Sequence, residues 1–154
     1  SSAPEAPKSP IKVVVWDEQQ PSQSVAYDNF LGNAISDHLN QREGIVSRSQ
    51  SLSDAGQGIP NTILDNCDVL IWWGHVRQAE ITPARGQEIV KRIEAGQLDL
   101  IALHSAHWST PFVEAMKRNT FGKAGPIGAN GVIPKGPDLG LQRPHDRERF
   151  AVAA

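Results

Sequence analysis

The stretch DVLIWWGHVRQAEITPARGQEIVKRIEAGQLDLIALH, residues 68–104, decides the fold. An apolar run, Val69 to Trp73, ends abruptly at Gly74 and His75. A helical segment follows, with Thr82 as N-cap, Pro83 at the first helical position and Gly96 just past the end. Ile89, Val90 and Ile93 form its apolar stripe, and a second apolar run, Leu98 to Leu103, ends at His104. Two continuous apolar runs joined by a helix predict parallel strands with both faces covered.

The same alternation extends toward the N-terminus. IKVVVWDE predicts a first strand through Ile11, Val13, Val14 and Val15. Tyr27, Phe30, Leu31, Ala34, Ile35 and Leu39 recur at helical spacing behind Ser24, a candidate N-cap. A short second strand is expected around Ile45 and Val46, and a short helix near Ile63 and Leu64. After the fourth strand, Ser109 or Thr110 can cap a last helix through Phe112, Val113 and Met116. The order β-α-β-α-β-α-β-α predicts a three-layer α/β/α fold with a mainly parallel sheet of four strands.

Three regions are expected: a Pro-, Ala- and Ser-rich lead-in over residues 1–10, an α/β domain over 11–118, and an irregular Gly/Pro-rich tail over 119–154. The lead-in suits the remnant of a removed export signal as well as a bacterial cytoplasmic chain. The 154 residues carry 15 Lys and Arg against 17 Asp and Glu, a net charge of −2, which lacks the basic excess of a nucleic-acid binder. No apolar stretch approaches a membrane span, so neither nucleic acid nor membrane is an expected partner. The single cysteine, Cys67, reads as a small buried residue beside the third strand.

Ligands of open parallel sheets bind outside the carboxyl ends of the strands. That edge collects Asp17 and Glu18 after the first strand, Trp72, Trp73, Gly74 and His75 after the third, and His104, Ser105 and His107 after the fourth. Trp72 and Trp73 point to opposite faces in strand geometry, so at least one belongs to the core. Imidazoles at a partly enclosed rim suit proton transfer or metal ligation near neutral pH. His75, His104 and His107 could hold zinc or another divalent metal, with Glu80 or Asp17 as alternative ligands. Ser105 lies where a nucleophile elbow would, although Leu103 and His107 stand where such a turn favours glycine, so a hydrogen-bonding turn role suits it better.

The segments DVLIWWGHVRQAEI and LIALHSAHWSTPFVEAM, together with VVVWDE, resemble the trehalose utilisation proteins of the ThuA-like family over residues 11–118. The resemblance implies a flavodoxin-like architecture of the class I glutamine amidotransferase type. The cysteine nucleophile of amidotransferases is replaced at or near Ser105, and a second histidine of many relatives is replaced by Gln78. It further implies a carbohydrate ligand, a disaccharide or its 3-keto derivative. His75 and His104 or His107 would act as base and electrophile, with Asp17 or Glu18 orienting one of them. Trp73 or Trp108 would stack on the sugar, with Ser105 and Glu80 as further contacts. The alternatives are a sugar-binding module without chemistry, a shortened inactive member, or a chain that completes its sheet in a homo-oligomer.

Overall fold

The computed structural model describes residues 8–124 and 150–153. Among the described residues, five strands form one sheet: β1 (Ile11–Asp17), β2 (Ile45–Ser51), β3 (Val69–Trp73), β4 (Asp99–Leu103) and β5 (Phe150–Ala153). Every pairing is parallel, in the order β2-β1-β3-β4-β5. This is the strand order of doubly wound, flavodoxin-like sheets. The α-helices are α1 (Leu31–Leu39), α2 (Asn61–Leu64), α3 (Pro83–Glu94) and α4 (Thr110–Ala124).

The step from β1 to β2 runs opposite to the later ones, so right-handed crossovers place α1 on one face and α2, α3 and α4 on the other. The alternation of β1 agrees. Val14 and Trp16 join the core cluster with Ile89 and Ile93 of α3, whereas Asp17 turns to α1. Trp16 and Trp72 pair in register across β1 and β3, and their indoles stack with centroids 3.9 Å apart at 14°. Trp72 is thus the core member of the tryptophan pair, and Trp73 is half-buried.

The punctuation of α3 matches the sequence expectation. Thr82 accepts from the Arg85 amide, and Pro83 opens the helix. Gly96 takes a φ of 76°, while the amides of Gly96 and Gln97 return to the carbonyls of Ile93 and Arg92. That pair of bonds is a Schellman closure, which requires a left-handed residue where this chain has glycine.

The first helix departs from expectation. Residues Pro21–Val25 form a separate 3-10 turn, in which the Ser24 hydroxyl donates to the Pro21 carbonyl rather than capping a long helix. The helix begins at Leu31, because the Asp17 carboxylate accepts from the Gly32 amide at 2.7 Å and fixes its start against the end of β1. A Cβ on Gly32 would lie 2.6 Å from that of Asp17, so only glycine permits the approach. Tyr27 and Ala34 are exposed, and the buried face of α1 is Gly32 and Ser36. Ser36 donates to the Ser47 hydroxyl, and the Asn40 amide bridges the Ser47 main chain, pinning α1 to β2.

The C-terminal part also differs from the sequence reading. Helix α4 continues to Ala124, and the short run FAVA adds a fifth strand beside β4. Most of the Gly/Pro-rich segment, residues 125–149, and residues 1–7 of the lead-in lie outside the described residues.

Candidate functional site

The carboxyl edge gathers the ends of β1, β3 and β4, as parallel pairing requires. The strand order reverses between β1 and β3, where such sheets open a crevice for ligands. Here that crevice holds a side chain of the protein itself. Glu18 is only 2% exposed, and its carboxylate accepts from three consecutive amides: His75 and Val76 at 2.9 Å and Arg77 at 2.6 Å. The Gln20 side-chain amide donates to it as well. Convergent backbone N–H groups make an anion seat, and the Glu18 carboxylate fills it. Burial works against the charged form, but the amides of Val76, His75 and Arg77 and the Gln20 donor outweigh it. The Glu18 carboxyl is held below the usual range.

Asp17 is equally committed. One oxygen takes the Gly32 amide, and the other takes the Gln19 amide at 2.7 Å and the Gln23 side chain at 3.5 Å. Both acids expected to orient an imidazole therefore hold backbone: Asp17 fixes the start of α1, and Glu18 fixes the loop bearing His75.

His75 follows β3 and His104 follows β4, adjacent strands, and both residues are exposed. The 3-10 turn His104–Trp108 packs against β3, β5 and the short turn Gln78–Glu80, so both histidine-bearing segments share one end of the sheet. Trp108 on that turn is 72% exposed, an unusual position for so large an aromatic. The side chains of Ser105 and His107 lie outside the described residues. Among the described residues, no three His, Cys, Asp or Glu side chains are placed to hold a metal ion. The expected set of His75, His104 and His107 includes a side chain outside the described residues.

Glu80 faces Arg77 in a two-pronged ion pair, at 2.8 and 3.0 Å. Hydrogen bonding and the charge of the partner lower the Glu80 carboxyl and raise the Arg77 guanidinium. Gln78 is buried against Gly74, where a Cβ would lie 2.8 Å from its own. Cys67 is buried at the opposite end of β3, and burial pushes its thiol up to about 12. Such a thiol is inert at neutral pH.

Gln57 carries a role that the sequence reading missed. Its carbonyl accepts from the Trp16 indole at 2.8 Å, while its side chain donates to the Glu80 carbonyl and accepts from the Thr82 amide. It ties β1 to the loop between His75 and α3. The GQG triplet at 56–58, two glycines around a polar residue, was the available signal, and all three residues take positive φ.

A scan of protein-family models and a search of the curated proteins found no match to this chain.

Proposed function

We propose that the chain processes a carbohydrate, a disaccharide of the trehalose type in its 3-keto form, at the rim between β3 and β4. The reading rests on the resemblance of the WWGH and LHSAH segments to trehalose utilisation proteins of the amidotransferase-like type. One observation carries it further: neighbouring parallel strands deliver exposed His75 and His104 to the same edge, beside an exposed indole, Trp108. An aromatic face is apt for the C–H side of a sugar ring, and imidazoles are apt for proton transfer near neutral pH.

The chemistry balances without an added oxidant. An imidazole takes the proton from the carbon between ketone and anomeric centre, and the C–H electron pair becomes an enolate. As the carbonyl re-forms, that pair makes a double bond to the anomeric carbon, and the glycosidic C–O bond breaks. The departing oxygen takes a proton back from the imidazolium, and water then adds across the double bond to give the free keto sugar. His75→Ala and His104→Ala should each lower release of glucose from 3-keto-trehalose by roughly 10²- to 10⁴-fold with folding intact. Wild-type protein that releases no sugar from any oxidised glycoside would refute the reading. Metal analysis of the purified protein decides whether His107 completes a ligand set.

A second reading, a sugar-binding module without chemistry, is favoured by the commitment of Asp17, Glu18 and Glu80 to other partners. It predicts quenching of Trp108 fluorescence by the disaccharide with no product formed. A shortened inactive member would behave in the same way.

A further inference from the structure

Positive φ divides unevenly between the two ends of the sheet. At the amino ends of β2 and β4 the residues that adopt it are Gly44 and Gly96, for which it carries no penalty. Beyond the carboxyl ends, three of the described residues with side chains adopt it: Gln19 after β1, Gln57 after β2 and His104 after β4. Strain in non-glycine backbone persists where the surroundings over-determine it, and it concentrates at functional sites. For Gln19 and Gln57 the support is visible, in the Asp17 carboxylate and the Trp16 indole respectively.

His104 is the case that touches the rim. Leu103 is still extended, at φ −93° and ψ 133°, and His104 turns to φ 47° at the first residue of the helical turn. The chain thus passes from a buried strand into a helical turn at one strained residue, the design that thrusts a nucleophile outward from an α/β sheet. Such a turn needs small residues two positions to either side. Around Ser105 those places hold Leu103 and His107, but around His104 they hold Ala102 and Ala106, both fully buried in the core. The elbow is therefore centred one residue earlier than the sequence alone suggests.

We propose that His104 is the apex of this elbow and that its imidazole is the base that removes the proton beside the ketone. This assignment rests on the keto-glycoside reading above and names the group that begins the reaction. The proton passes from carbon to the His104 ring nitrogen, the electron pair stays on the substrate as the enolate, and the proton leaves with the glycosidic oxygen.

The test compares His104→Gly, His104→Ala and Ser105→Ala in the full chain. Two readouts are thermal unfolding and deuterium exchange of the proton between ketone and anomeric carbon of 3-keto-trehalose, followed by NMR. Glycine removes the strain, so His104→Gly should raise Tm by roughly 2–4 °C while alanine should not, and both should slow exchange at least 100-fold. A His104→Gly protein that still exchanges at the wild-type rate overturns the assignment, as does a loss confined to Ser105→Ala. A fall in Tm for His104→Gly removes the elbow from under it. Wild-type protein that neither exchanges nor cleaves overturns the keto-glycoside reading instead, and the base assignment with it.

Discussion

Glu18 shows how one residue can be read correctly in place and differently in role. Its position at the end of a buried strand was legible, but a carboxylate facing three amides 57 to 59 residues away leaves no mark in a single sequence. Replacing it with alanine would strand those donors, at a cost of roughly 3 kcal/mol, and free carboxylate in solution should partly restore the loss. Thermal melts of Glu18→Ala with and without formate check this, and the absence of any recovery would count against the anion seat. Because the folded carboxyl is held low, its contribution is complete above the ordinary glutamate range, near about 4.3, and vanishes as pH falls through the depressed value. The stability gap between wild type and Glu18→Gln should accordingly be constant above about pH 5 and close under acid. Cys67, in contrast, was legible from its place at the edge of an apolar run and from the absence of a partner cysteine. It should resist thiol reagents until the chain unfolds, which a titration with and without denaturant measures.

Among the elements, α3 is the one whose sequence states its own limits, since N-cap, N1 proline and closing glycine are local chemistry. Thr82→Ala should destabilise by about 1 kcal/mol, and Gly96→Ala by about 1–2 kcal/mol, each measured by denaturant unfolding. Helix α1 was misjudged because its start is set from outside. Apolar spacing from Tyr27 onward suggested a long helix, but the Asp17 carboxylate reaches Gly32 and begins it there. Glycine also decides how α3 meets α4: a Cβ on Gly86 would lie 2.9 Å from the Thr110 methyl. Gly86→Val should therefore push the helices apart, and with them the segment that follows His104. A fall in Tm together with altered Trp108 emission would report it.

At the scale of the whole molecule, the alternation of strands and helices made the parallel α/β sheet readable, while the fifth strand was not. Four residues, Phe150–Ala153, carry too little pattern to stand out after a charged run. Their place beside β4 matters, because they cover the strand that leads into His104. A chain cut after residue 149 would leave β4 as an open edge, and it should self-associate in sedimentation. At the switch point itself, the stacked indoles of Trp16 and Trp72 span β1 and β3. Two chromophores so close, in nearly parallel planes, share their excited states, so the pair should contribute an exciton couplet to the far-ultraviolet circular dichroism. That optical band would follow the parting of two neighbouring strands, separately from the unwinding of any helix.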